Sequence, residues 1–154
     1  MSDEAEVVAW FDPGLTTGAA AYDVARDRFT SRQLTKDELA AYIEALHAAH
    51  GDRLAVGYEL YVQTPRPRPG SKARYSNEAI AAIEAACATY GIPVLKGQPS
   101  SARMVKSTVV FLRRLGWYRQ GQQHANDAAC HLFRHLVRRR PVPENIRRGL
   151  PSGY

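Results

Sequence analysis

Val8-Ala9-Trp10-Phe11-Asp12-Pro13-Gly14-Leu15-Thr16-Thr17-Gly18 is the stretch on which the fold turns. An apolar run that begins at Glu6-Val7 ends in a carboxylate and then Pro-Gly, which is how a buried strand stops. Asp12 is therefore expected at a strand's C-terminal end. Gly18 to Tyr22 and Phe29 to Leu34 follow as antiparallel strands joined by the polar turn Asp23 to Arg28, which makes a three-stranded meander. An Asp before Pro-Gly is also a common turn former through its side chain, so this segment alone leaves a structural and a functional reading of Asp12 open.

Working outward, Thr35 followed by Glu38 has the pattern of a capping box, and Leu39, Ile43 and Leu46 then repeat at helical spacing as far as Gly51. Leu54 to Glu59 returns to an apolar strand that again terminates in an acid. From Leu60 to Tyr75, Pro65, Pro67, Pro69, Gly70 and Ser71 read as a loop. Ser76 is expected to cap a second helix whose stripe is Ala79, Ile80, Ile83, Ala86 and Cys87, ending at Gly91. Ile92 to Leu95 is a short strand, Ser100 to Leu115 a helix stopped by Gly116, and His124 to Arg139 the last helix. The order predicts one mixed α/β domain over residues 1–154, with its core in 6–140 and a C-terminal tail in 141–154.

Composition narrows the partners. A hydrophobic fraction of 45% against 23% charged residues excludes wholesale disorder. The excess of Lys and Arg over Asp and Glu leaves a formal charge of +6, which suits either a polyanionic partner or a generic basic surface. Arg66, Arg68, Lys72 and Arg74 cluster in the presumed loop, and Arg134, Arg138, Arg139 and Arg140 near the end; both groups read as phosphate-facing patches. Cys87 and Cys130 lie in Ala-rich helical stretches. Although His131 and His135 follow Cys130, no paired zinc pattern appears, so both cysteines read as buried free thiols. With no apolar run long enough to span a bilayer and no leader pattern, a cytoplasmic protein is expected.

The chemistry-bearing residues are acids at strand ends. Magnesium takes oxygen ligands from a few carboxylates and from substrate phosphate. Asp12 and Glu59 meet that need if their strands are neighbours, and Asp127 on a crossing helix completes a triad, with His124 one turn earlier on the same face. Two divalent ions can activate water and stabilise the leaving oxygen in phosphodiester hydrolysis, so no nucleophilic side chain is required. The bland alternatives are that Glu59 is only a strand-end charge and that His124 and Asp127 only decorate a helix N-terminus.

Together these residues resemble a family. Val8 to Gly18 looks like the opening strand of RuvC-type Holliday junction resolvases, Gly57-Tyr58-Glu59 resembles their second acidic strand end, and His124-Ala125-Asn126-Asp127-Ala128-Ala129 their C-terminal helix motif. The resemblance runs from Val7 to Val137, and three motifs in order make it specific. It implies a ribonuclease H-like α/β fold, a mixed central sheet flanked by helices, and a homodimer that resolves branched DNA, especially four-way junctions, with Mg2+, for which Mn2+ substitutes. It further implies that Asp12, Glu59, His124 and Asp127 are catalytic and metal-binding, with His124 in place of the more frequent acid. Tyr61 resembles the aromatic residue that wedges into the junction, although packing of the loop base by Tyr61 and Tyr75 is an equal reading. Lys106 resembles a basic residue near the family's active site, and Arg66, Arg68, Lys72 and Arg74 are assigned to the DNA backbone. The Pro/Arg-rich segment after Glu59 departs from the bacterial pattern and points to a divergent branch such as a bacteriophage one.

Three rivals share parts of this pattern. Asp-x-Gly-x-Thr-x-Gly-type loops also occur in actin-like ATPases, which need two such domains where this chain offers one. A non-catalytic junction binder would set unneutralised carboxylates against phosphates. A ribonuclease H-like nuclease acting on flaps, forks or RNA-containing duplexes is the alternative that shares every motif.

Overall fold

The computed structural model describes residues 5–60, 72–96 and 102–152. Its elements run β1 (Val7–Asp12), β2 (Thr16–Asp23), β3 (Arg28–Thr35), α1 (Lys36–His50), a 3-10 turn at Gly51–Arg53, β4 (Leu54–Tyr58), α2 (Lys72–Tyr90), β5 (Val94–Lys96), α3 (Ala102–Leu115), α4 (Gln123–Arg138) and α5 (Glu144–Arg148). The five strands form one sheet in the order β3-β2-β1-β4-β5. β2 is antiparallel to both of its neighbours, whereas β1, β4 and β5 are parallel.

Strand side chains alternate between faces, and here the alternation sorts the sequence into two cores. Val7, Ala9 and Phe11, with Leu54, Val56 and Tyr58, face α1 and α2 and pack with Leu39, Ile43, Ile80 and Ile83. Val8, Trp10, Ala20 and Tyr22 face α3 and α4 and pack with Leu112, Ala129, Leu132, Phe133 and Leu136. The parallel strands are apolar on both faces because helices cover both. Edge strand β3 alternates exposed with partly covered residues until the buried Leu34. The capping box forms: Thr35 donates to Glu38 Oε1 from its backbone N–H at 2.9 Å and from its hydroxyl at 3.1 Å. Both cysteines are buried and free, and burial pushes the Cys130 thiol up to about 12, so neither supplies a thiolate. Among the described residues no helix is long and apolar enough to cross a membrane.

Two boundaries differ from the sequence expectation. α2 begins at Lys72, so Lys72 and Arg74 belong to a helix and not to the proline loop, and Ser76 is not an N-cap. After Pro69-Gly70-Ser71, nothing in Lys72-Ala73-Arg74-Tyr75 opposes helix, and Arg74 gains an i,i+4 partner in Glu78 at 3.1 Å. Ser76 sits a turn inside, buried, with its hydroxyl donating to the Pro13 carbonyl at 3.0 Å, which fastens α2 to the turn after β1. The fifth strand is Val94–Lys96, two residues later than expected at its start, since Ile92 leaves α2 by donating its N–H to Cys87 and then buries its side chain. α5 was not legible as an element, and its Ile146, 1% exposed, joins the core beneath α4.

At the far end of β2 from the site, Asp23 receives Arg26 at 2.9 Å and Arg53 at 3.1 Å. Burial raises its pKa, but the Arg26 hydrogen bonds and the charges of Arg53 and Arg26 outweigh that and hold the carboxyl below its ordinary value. A depressed folded pKa gives stability that is present above the unfolded value of 3.8 and lost as pH falls through the lowered one. Asp23→Asn is expected to cost about 1–3 kcal/mol in urea denaturation at neutral pH, less than a fully buried pair would lose because Arg26 is 61% exposed. The deficit should close as pH falls through the lowered pKa, where the wild-type carboxyl itself becomes protonated; a deficit that persists below it would show that packing, not charge, is the cause.

Candidate metal centre

Strand register lines up four residues on the face that α4 covers. Gln33 pairs with Gly18, and Gly18 with Asp12. Phe11 pairs with Tyr58 and accepts the N–H of Glu59 at 3.0 Å, so Glu59 falls beside Asp12 at the next position. Asp12 shares the parity of Val8 and Trp10, and Glu59 that of Ala55 and Gly57, so both acids turn toward α4. The two parallel strand ends thus bring their carboxylates side by side, both almost fully buried.

α4 supplies the rest. Seven helical residues advance about 10.5 Å, close to two strand spacings of about 4.8 Å each, so residues at i, i+3 and i+7 can visit successive strands. The N-terminal end of α4 rests on β2, where a Cβ at Gly18 would lie 1.7 Å from the His124 carbonyl oxygen. Gln33 Oε1 accepts the His124 N–H at 3.1 Å and satisfies one of the helix's first orphan donors. His124 Nδ1 then stands 3.7 Å from Asp12 Oδ2, and His131, one side of the helix further along, stands with Nε2 3.4 Å from Glu59 Oε2. Asp127 lies between them. Asn126 anchors the same turn, accepting the Arg119 N–H at 2.9 Å and donating to the Arg119 carbonyl at 2.8 Å.

Asp12, His124 and Asp127 each offer a ligand atom within 4.8 Å of the others. Burial pushes the Asp127 carboxyl up, the charge of Glu59 adds to this, and His124 and His131 offset part of it. Carboxylates crowded in low dielectric resist joint ionisation unless a cation neutralises them. Two carboxylates plus an imidazole fit a divalent ion such as Mg2+ or Mn2+, the nitrogen favouring the latter. The site is open on one side, since His124 is 48% exposed.

The fold that carries this cluster is similar to one already solved. The structure is similar to that of T. thermophilus RuvC in complex with Holliday junction substrate, with a TM-score of 0.60 and 20% identity over 81% of this chain and 88% of the other. The chain has the RuvC fold. A second Thermus thermophilus RuvC structure aligns with a TM-score of 0.50 at 20% identity, covering 81% of this chain and 90% of that one. No family model and no curated protein matches the sequence. The ribonuclease H-like α/β architecture expected from the motifs, a mixed sheet flanked by helices, is thus the observed one.

Within the RuvC fold, the sequence-expected residues fall into three groups. Asp12, His124 and Asp127 come together, and Glu59 adjoins them with its carboxylate toward His131. Lys72 and Arg74 sit in the first turn of α2, Arg74 paired with Glu78, and Lys106 is exposed on α3. Tyr61, Arg66 and Arg68 lie outside the described residues. Sequence reasoning missed Gly18, Gln33 and His131. His131 had a signal: it is seven residues from His124 and four from Asp127, which places all three on one helical face.

Proposed function

We propose that this chain is a divalent-metal-dependent endonuclease that cuts branched DNA, four-way junctions in preference, leaving a 5′-phosphate. The observation that carries the reading is the convergence of Asp12, His124 and Asp127 beside Glu59 at the end of the β1–β4 pair, in a fold similar to a RuvC solved with a Holliday junction. Asp12, Asp127 and Glu59 would hold Mg2+ or Mn2+, with His124 as a further ligand or as the group that orients water. The bound ion would activate a water for attack on phosphorus and stabilise the leaving oxygen. Asp12 and Glu59, fixed by strand ends, set where the phosphate can approach; the exposed imidazole of His124 faces the side from which DNA arrives. Lys72, Arg74 and Lys106, with Arg66, Arg68 and Tyr61, are assigned to the DNA, and a homodimer would set two such sites on one junction. The protein would act in the cytoplasm, where its buried thiols stay reduced.

Incubating the protein with end-labelled four-way junctions, flaps, forks, plain duplex and RNA–DNA hybrid tests this. Junction nicking is expected with Mg2+ or Mn2+ and none with chelator. Cutting that persists in chelator would sink the metal reading, and faster cutting of flaps, forks or hybrids would move the substrate while keeping the mechanism.

A further inference from the structure

His131 occupies a position where an aliphatic residue would serve packing better. It lies on the covered side of α4, between the core residues Cys130 and Leu132, with its side chain 5% exposed. Trp10 stacks nearly parallel to it, at 6.4 Å and 10° between rings, which fixes the plane of the imidazole. Its Nε2 is buried and makes no hydrogen bond of ordinary geometry. The atom it faces is Glu59 Oε2 at 3.4 Å, on a side chain 8% exposed. A buried ring nitrogen so placed is costly to keep unless it serves its neighbour.

We infer that His131 is a positioning residue whose Nε2–H holds one oxygen of Glu59, so that the carboxylate meets the Asp12–Asp127 cluster in a single orientation. This rests on the reading that Glu59 shares in cation binding. His124 offers a ligand atom within 4.8 Å of both Asp12 and Asp127, whereas the carboxylate His131 faces is that of Glu59, at 3.4 Å, which places it behind Glu59 rather than in the cluster. Ligating carboxylates are commonly held in this way by a second residue, and the loss of that residue weakens metal binding. His131 need not change charge to do this, because Nε2–H is present in the imidazolium and in one neutral tautomer. Trp10 then acquires a purpose beyond packing: it keeps the ring from rotating away from Glu59. Gly57, paired with Trp10 in the sheet, makes room for the indole, since a Cβ there would come within 2.4 Å of it.

Mn2+ binding to the DNA-free protein, followed by the loss of the free-ion paramagnetic resonance signal, tests this without any cleavage readout. His131→Leu is expected to weaken Mn2+ binding about 10- to 100-fold. His131→Gln, which keeps a donor at similar reach, should recover most of it. In a Glu59→Gln background, adding His131→Leu should change affinity by less than about 2-fold, because the two act through one carboxylate. Wild-type affinity in His131→Leu, or the full loss repeated in the Glu59→Gln background, overturns the inference while leaving the metal reading in place. If instead Glu59→Gln binds Mn2+ as wild type does, Glu59 is no ligand and the inference falls with that part of the reading. Should His131→Leu not fold by circular dichroism, His131→Asn against His131→Gln carries the same contrast, and equal affinities would overturn it.

Discussion

Asp12→Asn is expected to remove metal-dependent cutting almost entirely while the protein keeps its fold and its grip on DNA. Of the two acids in the three-residue cluster, Asp12 is the one held by the sheet: its backbone pairs with Gly18, and the strand it ends is buried along its whole length. Its carboxylate is the group that joins the α4 side chains to the sheet, with a ligand-type atom within 4.8 Å of both His124 and Asp127. Asn has the same shape but no charge, so the cation would lose one of its few anionic contacts. Metal-ion stabilisation of a phosphoryl transition state is worth several kcal/mol, and at ~1.4 kcal/mol per tenfold a loss of about 4 kcal/mol lowers the rate about 10³-fold. Junction affinity in chelator should hold or rise, because one negative charge facing phosphate is gone. Single-turnover cleavage and gel shift on the same junction measure both. Cutting within about tenfold of wild type would remove Asp12 from the metal site.

Much of this site was legible because it depends on local rules. An apolar run ending in Asp12-Pro13-Gly14 and another ending in Glu59 announce strands that present acids, and a helix beginning near His124 puts Asp127 one turn on. What could not be read locally was adjacency. That β4 lies against β1 follows from a crossover through α1, and only the register, Phe11 opposite Tyr58, makes Asp12 and Glu59 neighbours. Read in sequence, His131 sits next to Cys130 and invites only the question of zinc. Its meaning comes from facing Glu59, a residue 72 positions earlier in the chain. The start of α2 was misplaced for a different reason. Three prolines dominate the segment before it, but none falls within Lys72–Tyr75, which lack any helix breaker and open the helix.

Gly18→Ala should strike stability and activity together, and it shows how the last residue of the opening motif serves the site. Gly18 is on β2 opposite Asp12, on the face that α4 covers. A methyl there would lie 1.7 Å from the His124 oxygen, 2.2 Å from its carbonyl carbon and 2.9 Å from the Ala125 nitrogen. These are backbone atoms in the first turn of α4, so no rotamer change relieves the clash; the helix end has to lift. A carbon–oxygen contact needs about 3.3 Å, which implies a shift of more than 1 Å for the turn that carries His124. Overpacking of this kind costs about 3 kcal/mol, or a Tm lower by about 6–12 °C for a chain of this size. Because a stability of at least about 5 kcal/mol is usual, the variant should still fold and can be assayed at a temperature where it is fully native. There, displacement of His124 and Asp127 from Asp12 by about 1 Å should slow cutting about 100-fold, and Mn2+ binding should weaken in step. A Tm loss with cleavage and Mn2+ affinity unchanged would mean that the close approach of α4 to β2 serves the core alone, and that the ligands on α4 do not depend on the missing side chain at position 18.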